Sequence, residues 1–228
     1  MYCGTRNLYK HMITATKSLL YHNKIDKIYF LIEDDKFPYP LPHIIECINV
    51  SNLNIFSTTG PNYNSYWTYM VLMRAALTKV LPQDLDIVLS LDVDTLIIDN
   101  IEELWNIDLS NYYLAGVLEP DTKTICTPYI NCGVVLFNLK KIRKDKMDDK
   151  IINQLNTKFY RFKEQDCIND LCHNNIKLIS SNYNVCNFTE PPTELKIIHY
   201  AATGVNFWSK QGDYLYYKNK MWNDILKI

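Results

Sequence analysis

Short apolar runs alternate along the chain with stretches in which apolar residues return every three or four positions. Compact runs rich in β-branched and aromatic residues predict buried strands, and the three-to-four spacing predicts helices with one buried face. "MYCGT" (1–5) reads as a first strand, and Leu8, Met12, Ala15 and Leu19 then step at helical spacing. "KIYFLI" (27–32) is a buried strand, followed by the proline-broken loop "EDDKFPYPLP", and "LNIF" (53–56) reads as the next strand. Tyr66, Met70, Met73, Leu77 and Val80 predict a helix that Pro82 stops, with Arg74 as its only charge before Lys79. After a strand ending near Leu91 come the short helix "NIEELW", the strands "YYLAGVL" (112–118) and "GVVLFNL" (133–139), and helices over 145–160 and 164–173. Late strands "IKLIS" and "KIIHY" and a closing amphipathic helix over 213–228 complete the pattern. Strands and helices that alternate in this way predict an α/β fold with a mostly parallel central sheet and a C-terminal helical segment.

One strand carries chemistry. "IVLSLDVDTLI" (87–97) runs an apolar stretch into Asp92 and Asp94. A buried strand has no packing reason to end on two carboxylates, because ionised groups out of water are costly unless paired. At positions i and i+2 both side chains can face one side, at the strand end where open α/β sheets bind ligands. Two adjacent carboxylates repel unless a cation lies between them, and a hard, oxygen-seeking divalent ion fits.

Composition narrows the partners. The 228 residues, 47% of them hydrophobic, suffice for one large domain with a sizeable core. Lys and Arg (24) balance Asp and Glu (25) to a net charge of -1, which argues against nucleic acid. No charged head leads into an apolar stretch, and no apolar run is long enough to span a membrane. Seven cysteines with no CxxC pair read as reduced, mostly buried thiols of a cytoplasmic protein, not as a disulfide frame or zinc site. Core and sheet packing is the simpler account of most of the 17 tyrosines.

Two enzyme classes end a strand on such a pair. Haloacid-dehalogenase-type phosphatases need Thr or Val two residues after the second Asp, where this chain has Leu96, and they place the motif near the start of the chain. Nucleotide-sugar transferases of the GT-A type use the pair to hold a divalent ion on the donor diphosphate, where it stabilises a negatively charged leaving group.

The chain resembles the family 8 retaining glycosyltransferases, the family of glycogenin and of the sugar transferases of lipopolysaccharide assembly. "TRNLYKHMITATKSLL" (5–20) is similar to the family's opening loop and helix, and "RAALTKVLPQDLDIVLSLDVDTLIIDNIEELW" (74–105) to its most diagnostic block. "YINCGVVLFNL" (129–139) resembles its N-x-G-V stretch, "EQDCIN" (164–169) its D-Q-D-x-x-N stretch, and "IIHY" (197–200) supplies a histidine. The resemblance implies a single GT-A, Rossmann-like nucleotide-sugar-binding domain over 1–228. Residues 1–110 would serve mainly nucleotide and metal, 111–210 mainly sugar and acceptor, and 211–228 would close the fold as a helix. It implies Thr5, Arg6 and Tyr9 near the nucleotide base, Arg74 on sugar and diphosphate, and Asp92-Val93-Asp94 with His199 as the metal site. It places Asn131, Glu119, Glu164 and Gln165 on the donor sugar's reacting face, and Gly204 with Lys210 on the phosphates. Glu119 and Glu164 stand where the family carries aspartates, and the family's ending is altered to "HYAATGVNFW" without its lysine. The implied reaction moves glucose or galactose from a UDP-sugar to a hydroxyl of a glycan, lipid-linked glycan or protein, with Mn²⁺ preferred over Mg²⁺. A lipid-linked acceptor would bring the protein to the inner membrane surface. The alternatives are an inverting GT-A enzyme and an inactive module that binds nucleotide sugar or glycan.

Overall fold

The computed structural model describes residues 1–64, 68–119, 125–186, 190, 192–201 and 212–226. Strands β1 (Tyr2–Cys3), β2 (Ile28–Ile32) and β3 (Ile45–Asn49) pair in parallel. β4 (Ile87–Leu91) joins β1, because the main-chain nitrogen of Met1 donates to Leu89 O at 2.7 Å and Leu91 N donates to Met1 O at 3.0 Å. β6 (Leu114–Leu118), β7 (Ile130–Asn138) and β8 (Ile176–Leu178) extend the sheet to the order β3-β2-β1-β4-β7-β6-β8. In this sheet β7 alone, among the described strands, runs against its neighbours. A smaller sheet pairs β5 (Thr95–Ile97), β10 (Ile197–His199) and β9 (Val185–Cys186).

The central strands are buried on both faces, which is why they read as unbroken apolar runs. In β2, Ile28, Phe30 and Ile32 enter one core cluster and Tyr29 and Leu31 the other. Helix α1 (Tyr9–His22) packs over β5, and α4 (Met147–Thr157) and α5 (Lys163–Cys172) pack against the helical segment that carries Arg74. A fully buried Leu or Phe in these layers contributes about 1.5–3 kcal/mol.

Several expected elements differ. "LNIF" forms turns, with Leu53 exposed and Phe56 anchored in the core, and the third strand lies earlier, at Ile45–Asn49. β3 is an edge strand whose Glu46 faces solvent, so its apolar pattern is broken. The helix stopped by Pro82 is a 3₁₀ segment, Tyr69–Ala76, continued by α2 (Leu77–Val80); Tyr66 lies outside the described residues. The expected 145–160 helix is α4, with a separate α3 (Leu139–Lys144) before it, and the closing helix is α6 (Gly212–Asn219) and α7 (Trp222–Leu226). Against α1, Tyr214 Oη meets His11 Nδ1 at 2.7 Å and Tyr217 Oη meets His22 Nε2 at 2.8 Å. Among the described residues no helix is long and apolar enough to cross a membrane.

β7 begins three residues before the expected Gly133, and its register against β6 shifts between Gly116 and Leu118. Side-chain parity changes with it. Ile130 and Cys132 enter the cluster of Tyr29 and Leu31, whereas Val134 and Leu136 enter that of Ile28 and Phe30. A bulge of this kind re-aims side chains at a strand end, here that of Asn131.

A candidate metal and donor-sugar site

β1, β2 and β4 are parallel, so their C-terminal ends share one edge of the sheet, and antiparallel β7 presents its first residues there. Asp92 leaves β4 with its N–H donated to Gly133 O at 2.8 Å. The main chain then turns: Thr95 N (3.2 Å) and Thr95 Oγ1 (2.7 Å) both donate to Asp92 O. This turn carries Asp92-Val93-Asp94 around the edge and brings both carboxylates to one side. Tyr200 N donates to Asp94 O at 3.0 Å, which docks the end of β10 beside them. His199, on β10, points its Nε2 at Asp94 Oδ1 (3.4 Å) and Asp92 Oδ2 (3.7 Å). One ligand atom from each of the three residues lies within 4.8 Å of the others.

Two carboxylate oxygens and an imidazole nitrogen converging at a strand end make a donor set suited to a divalent metal ion. Without a cation, the charges fall back on each other. Burial works against a charged His199, but Asp94 and then Asp92 outweigh it and raise its pKa well above the ordinary 6.5. Burial likewise pushes Asp94 up, and His199 more than reverses it, holding the carboxyl below its usual range.

Arg74 links this cluster to a second group of polar residues. The 3₁₀ segment turns its guanidinium inward, where it is 5% exposed, paired with Asp92 and donating from Nη1 to Glu164 Oε1 at 3.1 Å. Glu164, in the first turn of α5, is buried, and burial lifts its pKa to about 7 against the pull of Arg74. Gln165 Oε1 accepts from Cys132 N at 2.8 Å, and its Nε2 donates to Tyr129 Oη at 3.2 Å and Glu119 Oε2 at 3.4 Å. Asn131 Nδ2 donates to the same Glu119 oxygen at 2.8 Å. The structure thus gathers Arg74, Asp92, Asp94, Glu119, Asn131, Glu164, Gln165 and His199 at one edge.

The sequence profile of glycosyl transferase family 8 matches residues 1–212. The chain belongs to that family. A Haemophilus influenzae protein assigned as a glycosyltransferase is 32% identical over 151 residues, 60% of this chain and 44% of that one. The glycosyltransferase GlyD of Streptococcus pneumoniae is 32% identical over 161 residues, 66% of this chain and 19% of GlyD. The chain therefore spans less than half the length of these relatives. In fold it is similar to the galactosyltransferase LgtC, solved with donor and acceptor sugar analogs, at TM-score 0.74 and 19% identity over 95% of this chain and 94% of that one. It is also similar to the Streptococcus pneumoniae glycosyltransferase GlyE, at TM-score 0.74 and 20% identity over 99% of this chain and 61% of that one.

The family's opening loop follows β1 here. Thr5 is buried, and Arg6 is exposed, paired with Asp34 and donating its N–H to Glu33 Oε1 at 2.7 Å. Tyr9 Oη accepts from Glu33 N at 3.0 Å, and the Tyr9 ring packs on Phe37 at 4.7 Å. Glu33 and Asp34, just after β2, thus set two acidic side chains against this loop. Gly204 and Lys210 lie outside the described residues. The rest of the D-Q-D-x-x-N-like stretch pins the start of β7. Tyr129 Oη donates to Asp166 at 2.6 Å, and Asn169 brackets Ile130 with bonds of 2.7 and 2.9 Å.

Sequence reasoning missed two residues that shape the site, Asn184 and Gly133. His199 Nδ1 lies 2.8 Å from Asn184 Oδ1, and its ring sits close against Gly133. A Cβ added at Gly133 would stand 2.5 Å from His199 Nδ1 and 2.8 Å from Nε2, so the ring would have to move. Gly133→Ala is expected to cost about 1–3 kcal/mol of stability through overpacking. It should also lower metal-dependent turnover by about 100-fold, the scale of a 1 Å misplacement. Denaturant unfolding and donor turnover measured side by side check this, and unchanged turnover would mean the ring does not need its place.

Proposed function

We propose that this chain transfers a hexose, glucose or galactose, from a UDP-sugar to a hydroxyl acceptor with retention of anomeric configuration. Asp92, Asp94 and His199 would hold Mn²⁺. The convergence of these three ligand atoms at the end of β4 is the observation that carries the reading. When bound, the ion supplies Lewis acidity that stabilises the departing diphosphate.

The chain's own residues divide the remaining work. Arg74 sets a fixed positive charge between Asp92 and Glu164, beside the place where the leaving group's charge develops. Asn131, Gln165 and Glu119, already bonded to one another, orient the donor sugar through their remaining polar capacity. Glu164, held by Arg74, lends negative charge to the anomeric carbon as it becomes electron-poor. Thr5, Arg6 and Tyr9 line the edge where the base and ribose would lie, with Gly204 and Lys210 assigned to the phosphates. Membership of family 8 supports the donor class and retention, and a glycan or other hydroxyl-bearing acceptor completes the reaction.

Incubation with UDP-glucose and UDP-galactose, with and without Mn²⁺, tests the proposal. Slow Mn²⁺-dependent release of UDP is expected. Saturable binding without release would favour a nucleotide-sugar-binding module, and an inverted product would favour an inverting enzyme. Arg74→Ala is expected to reduce kcat more than it weakens UDP binding. One such contact to developing charge typically contributes about 2–4 kcal/mol to lowering the barrier. An unchanged kcat with only a lowered melting temperature would make Arg74 a packing residue.

A further inference from the structure

Behind the metal cluster runs a buried chain of side-chain hydrogen bonds whose direction the main chain fixes. Gly133 N–H donates to Asn131 Oδ1 at 2.9 Å, and a backbone N–H can only donate. The other end of the Asn131 amide meets Glu119 Oε2 at 2.8 Å, and a carboxylate accepts. Asn131 is therefore held with its oxygen toward Gly133 and its nitrogen toward Glu119. Asn184 contacts that same Asn131 oxygen at 2.9 Å, so Asn184 must present Nδ2 to it and turn its own Oδ1 to the other side. There it meets His199 Nδ1 at 2.8 Å, which must carry a hydrogen. In the neutral imidazole the lone pair then belongs to Nε2, the nitrogen that faces Asp92 and Asp94. Asn184 and His199 are 4% and 3% exposed, so water has little access to offer either group a competing partner.

We infer that Asn184 is a positioning residue for the metal site. It fixes the tautomer and the ring plane of His199, and ties both through Asn131 to Glu119 on the sugar side. The inference rests on Asp92, Asp94 and His199 being metal ligands. Partners that orient a ligating histidine typically contribute about 10–100-fold to metal affinity.

The test is Mn²⁺ titration of the full chain by electron paramagnetic resonance, with no donor present, on wild type, Asn184→Ala and Asn184→Asp. Asn184→Ala removes the acceptor and is expected to weaken Mn²⁺ binding by about 10–100-fold. Asn184→Asp keeps an acceptor for Nδ1–H but loses the donor to Asn131, so its Mn²⁺ affinity should stay within about threefold of wild type, by the same rule that a carboxylate orients a ligating histidine well. Wild-type affinity in Asn184→Ala would overturn the assignment and leave the metal site standing. No Mn²⁺ uptake by wild type would overturn the metal site and this inference with it. Should Asn184→Ala fail to fold, wild type labelled with ¹⁵N-histidine and loaded with ¹¹³Cd²⁺ decides. Coupling of cadmium to Nε2 with a proton on Nδ1 is expected, and coupling to Nδ1 would overturn the inference.

Discussion

Asp94→Ala is expected to abolish transfer at any Mn²⁺ concentration that saturates wild type, a loss of at least about 10³-fold, or 4 kcal/mol in the barrier. In the proposed site Asp94 would contribute one of three ligand atoms, leaving only Asp92 and His199 to hold the ion. Its structural cost should be smaller and should depend on pH. In EDTA, Asp94 pairs with the buried His199 at 3.4 Å. The pair needs Asp94 ionised and His199 protonated. Asp94 is lowered from 3.8 and His199 raised from 6.5, so the pair's stabilisation is fully present between those two ordinary values. It fades below that window as Asp94 takes up a proton, and above it as pH rises through the raised His199 value. The melting temperature of Asp94→Ala in EDTA should therefore lie below wild type by several degrees near pH 5.5, at roughly 2–4 °C per kcal/mol for a chain of this size, and converge on it in alkali. A variant that fails to fold at every pH would make Asp94 structural.

Glu164→Gln should lower kcat by about 10–1000-fold, or 1.4–4 kcal/mol, without eliminating it. Glu164 is longer by one carbon–carbon bond, about 1.5 Å, than the aspartate its family carries there. A covalent nucleophile needs reacting atoms within about 3–3.5 Å and aligned, and would not tolerate such a change easily. A carboxylate that stabilises positive charge tolerates it better, and Arg74, which donates to Oε1 at 3.1 Å, would hold Glu164 for that proposed task. Burial sets the pKa of Glu164 at about 7, and only the ionised form supports the developing charge. Wild-type kcat should thus rise with pH through about 7, and the limb should be missing from Glu164→Gln. Steady-state rates from pH 5.5 to 8.5 and intact-mass spectra with donor alone read both points. A trapped hexosyl ester on Glu164 would contradict the assignment, as would an unchanged pH limb in the variant.

Much of this site can be read from the chain because its parts sit where periodicity ends abruptly. β4 announces itself by apolar continuity, and Asp92 and Asp94 by breaking it. Arg74 stands out as a charge inside an apolar stripe, and the structure accounts for it with Asp92 and Glu164. His199 is different, since nothing local distinguishes it from a core histidine, and only its resemblance to a family motif connects it to the aspartates. Asn184 left no trace at all: its role exists only in hydrogen bonds to residues distant in sequence. The β7 bulge was hidden for a related reason, because a shift of register changes which face a residue serves without changing composition. β3 escaped because an edge strand buries only part of itself, whereas "LNIF" buries Phe56 from a turn and so imitates a strand.

One titration tests the metal-held diphosphate most directly: UDP-hexose into wild type by calorimetry, in Mn²⁺ and again in EDTA. A diphosphate held through an ion on Asp92, Asp94 and His199 predicts saturable binding in Mn²⁺ and at least about a tenfold loss of affinity, 1.4 kcal/mol, in EDTA. Equal affinity in the two buffers would contradict it.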